Sequence, residues 1–149
     1  MLIDSHRKKI KKYFRWEKKI AEEVEITRKE QEARRHSKSP VGIDDPTGGF
    51  VVRKNMPLKR IVIFVKGKRI VITKPEAWLQ VIHDTYELYS RQPIANLVRE
   101  HIENPDKTID ILSGFMGISP ETYKRWETEF FDDAVFLAGA AGLYPKKNS

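Results

Sequence analysis

The chain has 149 residues, enough to bury a real core, and its 28 Lys and Arg against 21 Asp and Glu give a formal net charge of +7. It has no cysteine, which excludes disulfides, thiolate nucleophiles and cysteine-based zinc sites and is typical of a reducing cytosol. No apolar run approaches the roughly 18–20 residues of a membrane span. We therefore expect a cytoplasmic protein with no membrane partner. Its positive net charge favours a polyanion as its binding partner.

The charge is unevenly distributed along the chain. Residues 1–40 carry 13 basic and 7 acidic side chains, residues 51–74 carry 8 and none, and residues 75–149 carry 7 and 12. The positive charge therefore belongs to the first half of the chain, and the second half is acidic.

The first segment predicts a helix, since neither Gly nor Pro occurs from about Ile3 to Ala33. Apolar residues recur there at helical spacing and form one narrow stripe: Ile3, Ile10, Tyr13, Ile20 and Val24. The pattern predicts an extended basic helix over residues 1–36, which either packs on a partner helix or second chain or lies across its own domain. Residues 37–50, rich in Ser, Pro, Gly and Asp, predict a linker.

The basic segment 51–74 contains two β-branched runs, 60–65 and 69–72, on either side of Lys66-Gly67-Lys68. This pattern predicts a β-hairpin with Gly in its turn. Its cations either keep a sheet edge in water or contact phosphate. Under the second interpretation the candidate phosphate contacts are Arg53, Lys59, Arg60, Lys66, Lys68 and Arg69.

Residues 75–145 predict a helical domain. Thr73 and Glu76 are spaced for a capping box around Pro75, so that a helix should begin there, and a second should run from Pro93 to Asn104. The small residues 138–142 allow close helix approach, and we expect them to pack against another helix or another copy of the chain.

Residues 108–129 fit a helix-turn-helix. This motif needs a small residue in its first helix, a glycine at the turn and inward apolar residues, and Ser113 and Gly117 meet the first two needs. Ser119 and Pro120 can cap and open the second helix. The expected inward residues are Leu112, Met116, Ile118, Tyr123 and Trp126. Either Thr122, Lys124, Arg125 and Thr128 face DNA, or they are ordinary surface residues.

The residue types of a catalytic or metal site are not grouped in the sequence. The four histidines, His6, His36, His83 and His101, lie far apart, and neither a P-loop nor a dinucleotide-binding glycine motif occurs. We therefore expect a protein that is not an enzyme and that needs no metal and no cofactor.

The order of the motifs resembles the RinA/ArpU-type late-gene transcriptional regulators of phages that infect Gram-positive bacteria. The resemblance rests on the charged N-terminal helix, Asp45-Pro46-Thr47-Gly48-Gly49, Pro75-Glu76-Ala77-Trp78 and the segment from Ile118 to Arg125. It implies a phage-encoded activator in the host cytoplasm whose C-terminal part is similar to the promoter-reading helix-turn-helix of a sigma factor. With the residues it adds, the candidate DNA contacts are Ser119, Thr122, Tyr123, Lys124, Arg125 and Thr128.

The sequence thus predicts a mainly α protein with a short β-hairpin, an extended N-terminal helix and a C-terminal helix-turn-helix. The first functional hypothesis is a regulator of phage late genes that binds double-stranded DNA as a homo-oligomer. The alternatives are a small terminase subunit that recognises packaging DNA and an adaptor that binds RNA polymerase or another phage protein without DNA contact.

Overall fold

The computed structural model describes residues 2–37 and 56–144, and the side chains of 5–34 and 56–144. The predicted linker over 37–50, apart from its first residue, and the candidate contact Arg53 lie outside these ranges. The elements of the described ranges are α1 (Leu2–Arg15), α2 (Glu17–Ser37), β1 (Arg60–Val65), β2 (Lys68–Thr73), α3 (Pro75–Leu88), α4 (Pro93–Glu103), α5 (Ile109–Met116) and α6 (Pro120–Ala140). The fold is therefore mainly α with one antiparallel hairpin, which confirms the predicted class.

The N-terminal segment is two helices, and the prediction of one uninterrupted helix was wrong. Trp16 lies in a turn between α1 and α2, although its backbone N–H still donates to the Lys12 carbonyl at 3.0 Å. The chain divides into two compact units close to this break, one formed by residues 1–17 and 77–149 and the other by residues 18–76. Because the break contains neither Gly nor Pro, the sequence carries no local signal for it.

The first unit is built around α6, which packs against α1, α4 and α5. Phe14 of α1 is 1% exposed and lies among aromatic rings, with its centroid 5.6 Å from Phe130, 5.1 Å from Phe131 and 5.4 Å from Tyr86. Such edge-to-face pairs add to the free energy of burial. Helix α1 therefore lies across its own domain, which was one of the two arrangements that the apolar stripe left open.

The small residues at the end of α6 have two different environments. Ala134 and Ala138 are fully buried, whereas residues 139–142 are exposed. The helix ends at Ala140, and the φ of +74° at Gly142 lets the Leu143 N–H donate back to the Ala138 carbonyl at 3.0 Å. Within the first unit, the small-residue run thus ends a helix and only its first member packs inside.

The second unit contains α2 and the hairpin. Arg60 pairs with Thr73 at one end of the hairpin and Val65 with Lys68 at the other, so that Lys66 and Gly67 form a two-residue turn. Both turn residues have positive φ, +51° and +79°, as a type I′ turn requires. Side chains alternate between faces. Ile61, Ile63 and Ile72 are buried on one face, and Phe64 is exposed on the other.

Glu76 forms an ion pair within the second unit and does not cap a helix. Its carboxylate accepts from Arg28 Nη2 at 2.7 Å and from Arg28 Nε at 3.2 Å, and also from the backbone N–H of Leu58 at 2.8 Å. Arg28 also donates to the Met56 carbonyl at 2.8 Å. Thr73 is the last residue of β2, so the predicted capping box is wrong.

We expect Arg28→Ala to lower the free energy of unfolding by about 1–2 kcal/mol, because it removes several charge-assisted hydrogen bonds from a partly buried carboxylate. Urea unfolding followed by circular dichroism measures this. Lys29→Ala is the matched control, since Lys29 makes only an exposed ion pair with Glu25 at 3.2 Å. Equal effects of the two changes would contradict the assignment.

All five tyrosines lie in the first unit, and burial raises the pKa of each above its ordinary value of 10.0: Tyr13, Tyr86, Tyr89, Tyr123 and, to about 12, Tyr144. The Asp133 carboxylate, which accepts a hydrogen bond from Tyr89, raises the Tyr89 pKa further. The folded protein therefore favours the neutral form of each tyrosine side chain over the phenolate.

The raised pKa values predict alkaline unfolding. A group whose folded pKa exceeds its unfolded pKa stabilises the fold fully below the unfolded value, about pH 10, and loses this contribution as the pH rises towards its folded pKa. We expect phenolate absorbance to rise together with loss of the native tryptophan fluorescence. Tyrosines that ionise near pH 10 while the fluorescence stays native would contradict this expectation.

Candidate nucleic-acid interface

The first helix of the motif and the turn after it are set by local capping. The Thr108 hydroxyl accepts from the Ile111 N–H at 3.2 Å and starts α5. Gly117 ends it in the left-handed region, with φ +69°, while the Ile118 N–H donates to the Ser113 carbonyl at 3.1 Å. Ser113 is 1% exposed, as the close approach of two helices requires.

The second helix starts three residues after this glycine, at Pro120. The Ser119 hydroxyl caps α6 by accepting from the Thr122 N–H at 3.1 Å, and it donates to the Thr122 hydroxyl at 3.0 Å. Pro120 occupies the first turn. The predicted start of this helix is therefore confirmed.

The outward face of α6 carries Glu121, Lys124, Arg125 and Thr128, which follow each other at helical spacing. Lys124 and Arg125 are exposed, and neither makes an ion pair with any residue of the ranges 5–34 and 56–144. Thr128 is half-buried within this face, and Thr122 is half-buried at its edge.

Tyr123 was predicted to contact DNA, and the structure shows that this prediction was wrong. Its side chain is 0% exposed, on the inner stripe of α6 that continues through Phe130 and Ala134. A side chain in the core cannot reach a nucleic acid, so Tyr123 is a packing residue. It belongs with the inward set, as the apolar pattern of the motif itself indicated.

Most acidic residues of α6 have partners inside the first unit. Glu127 lies 3.6 Å from Lys11 and 3.8 Å from His101, and Asp132 pairs with Arg7 at 2.7 Å. Asp133 accepts from Tyr89. The negative charge that would repel a phosphate backbone is therefore partly offset, and Glu121 and Glu129 remain exposed.

Helix α5 leaves apolar side chains in water. Phe115 is 75% exposed, Ile111 48% and Met116 43%, and we call these three side chains the α5 apolar strip. Met116 was predicted to face inward, and this prediction was wrong because Gly117 turns the chain before Met116 is covered. Leu112 and Tyr123 are buried as expected, and Ile118 and Trp126 are half-buried.

The predicted phosphate contacts of the hairpin belong to the second unit. The residues that the structure describes there are all exposed: Lys59, Arg60, Lys66, Lys68 and Arg69. Sequence reasoning missed Phe64, which is 61% exposed in the middle of these cations. An aromatic residue at an outward position of an alternating strand was the signal for it.

A cleft of about 400 Å³ lies beside Glu127 in the first unit, lined by Lys11, Arg15, Val98, His101, Ile102, Pro105, Glu127 and Phe131. No three His, Asp or Glu side chains of the described ranges come together in a way that suits a metal ion. No helix in these ranges is long and apolar enough to span a membrane.

The chain matches no protein-family model, no curated protein and no solved structure. Any functional conclusion therefore depends on the chain's own residues and their geometry.

The turn can be tested with two glycines of α5. Gly117→Ala should lower the free energy of unfolding by about 1–2 kcal/mol, because an L-residue is strained at positive φ. Gly114→Ala should raise it by about 0.5–1 kcal/mol, since Gly114 is helical and an added Cβ meets nothing within 4 Å. Chemical denaturation measures both, and the same sign for both variants would contradict the assigned turn.

Proposed function

We propose that this protein is a DNA-binding transcriptional regulator that reads double-stranded DNA through the first turns of α6. The observation that carries the proposal is the pair Lys124 and Arg125, exposed on the outward face just after a capped helix start and unpaired within the described ranges. Recognition helices contact base edges with residues at this place.

The chemistry of the outward face suits this role. Arg125 can bond guanine edges through two parallel N–H groups, and Lys124 can contact guanine or phosphate as a point charge. The Thr122 hydroxyl suits a phosphate oxygen. The pairs of Glu127 with Lys11 and of Asp132 with Arg7 reduce the negative charge that α6 presents to DNA.

The resemblance to RinA/ArpU-type regulators extends the proposal to control of phage late genes. The sequence motifs carry this extension. It also supports binding as a homo-oligomer, since operators read by helix-turn-helix proteins commonly pair two half-sites.

The test is selection of genomic DNA fragments by the purified protein at two salt concentrations. Lys124→Ala with Arg125→Ala should abolish enrichment of specific fragments, at about 1–3 kcal/mol for each lost base contact, without lowering the melting temperature. Lys8→Ala with Lys12→Ala, on exposed positions of α1, removes the same charge and should keep the fragment pattern. Unchanged enrichment in the α6 double variant would show that α6 does not read the DNA.

A protein-binding adaptor is the second candidate function, and the α5 apolar strip is the observation that favours it. Exposed apolar patches commonly mark protein-protein contacts. Salt-insensitive capture of RNA polymerase, lost in Phe115→Ser and kept in Lys124→Ala with Arg125→Ala, would support the adaptor over the regulator.

A further inference from the structure

The outer face of the hairpin combines an exposed aromatic ring with cations. Phe64 is 61% exposed and lies directly opposite Arg69 in the ladder, and its apolar neighbours on the same face are Val62 and Val71. Val71 is 40% exposed and pairs with the half-buried Val62. Burial of the other face, through Ile61, Ile63 and Ile72, fixes which side chains point outward.

The charge of the hairpin has one sign. Between residues 59 and 74 there are six Lys and Arg and no Asp or Glu, and all six basic side chains are exposed. None of the six pairs with a carboxylate of the described ranges. Lys19 of α2 adds a further cation, because its Nζ donates to the Phe64 carbonyl at 3.4 Å.

The Glu76 carboxylate, which lies in the same unit, already has partners. Glu76 accepts from Arg28 and from the Leu58 N–H, on the segment that leads into β1. The other carboxylates of this unit that the structure describes lie on α2. The hairpin face therefore repels a second copy of itself and attracts a polyanion.

We propose that the outer face of the hairpin is a second nucleic-acid site, which binds single strands by stacking an unpaired base on Phe64 while the surrounding Arg and Lys side chains contact phosphates. The site is separate from α6 and does not depend on the function proposed for that helix.

The exposed ring of Phe64 favours a single-stranded nucleic acid over a duplex as the ligand. In a duplex the flat faces of the bases cover each other, and only their edges and the phosphates are accessible. The apolar side chains beside Phe64 are valines, which offer no hydrogen bond to a base edge, and the cross-strand neighbour Arg69 is a cation that can contact phosphate. An unpaired base has a free π-face for an aromatic side chain, and phosphate contacts from a basic rim complete such sites.

The apolar area also favours a base over a lipid surface. It consists of one aromatic ring and two valines on a ribbon two strands wide. Stable membrane attachment by an interfacial segment uses a much longer apolar face together with its charges.

The test measures binding of a fluorescent oligothymidylate of about 20 nucleotides, longer than the roughly 4–16 nucleotides of known single-strand sites. Fluorescence anisotropy is recorded on the full chain carrying Lys124→Ala and Arg125→Ala, so that α6 does not contribute. We expect binding to this strand, and weaker binding to a duplex of mixed sequence than to either of its separated strands.

Substitutions at Phe64 separate stacking from simple burial. Phe64→Ala should weaken binding of the single strand by about 5- to 150-fold, the range of one base-stacking contact. Phe64→Leu should weaken it similarly, because leucine is apolar but lacks a π-face, whereas Phe64→Trp should retain binding. Leu88→Ala removes a similarly exposed apolar side chain, 58% exposed, from the first unit and should change nothing.

The contribution of the hairpin cations is measured through the salt dependence of binding. Arg60→Ala with Arg69→Ala should reduce the slope of log affinity against log salt by about 0.7 for each lost phosphate contact. Circular dichroism checks that every variant folds, which the exposure of these side chains favours.

Three results would overturn the proposal. The first is that the α6 double variant binds the duplex as tightly as the single strand. The second is that Phe64→Leu binds the single strand with the same affinity as the parent. The third is that the protein binds polyglutamate or phosphatidylserine vesicles and does not bind the oligonucleotide. Failure of the function proposed for α6 is a different result, since it leaves single-strand binding by the hairpin intact.

Discussion

The burial of Phe14 against α6 is the contact on which the first unit depends. This one ring touches Phe130, Phe131 and Tyr86 and so joins α1 to both α6 and α3. Ile10, Tyr13 and Phe14 together form a face three and four residues apart, wide enough for a core-facing helix. Once α1 is held there, the inner stripe of α6 is covered, and its opposite face is the one left to solvent. The orientation of the outward residues of α6 thus follows from the packing of a helix about a hundred residues earlier in the sequence.

The same packing explains how an acidic half of the chain can contain a candidate DNA-binding helix. Arg7 of α1 pairs with Asp132 of α6, and Lys11 pairs with Glu127. Cations of the basic N-terminal segment therefore neutralise acids of the acidic C-terminal half. The charge asymmetry along the sequence is therefore partly an internal complementarity. What remains on the first turns of α6 is a mixed face with two cations, Lys124 and Arg125, next to Glu121. Such a face supplies specificity through geometry, and it supplies little of the long-range attraction that a uniformly basic helix would have.

Features that depend on a few neighbouring residues could be predicted from the sequence. Gly67 in the hairpin turn and Gly117 and Ser119 in the helix-turn-helix all act through local backbone geometry, and the structure places them as expected. The break at Trp16 and the exposure of Met116 depend on which distant element covers each side chain. Phe14 was outside the narrow stripe that the spacing indicated, and the ion pairs between α1 and α6 join residues more than a hundred positions apart. The sequence pattern contains no information on such pairings.

The two candidate surfaces make different demands on the fold. A helix that reads base edges must hold its side chains at a fixed angle to a rigid duplex, and the Ser119 cap and the left-handed Gly117 provide that fixed start. A hairpin that stacks on a free base needs only an exposed ring on a sheet whose opposite face is buried, since a single strand adjusts its own backbone to the site. The isoleucines beneath β1 and β2 therefore suffice to position Phe64, and no cap or tight helix crossing is needed. Each unit thus contains the structural support that the chemistry of its own surface requires.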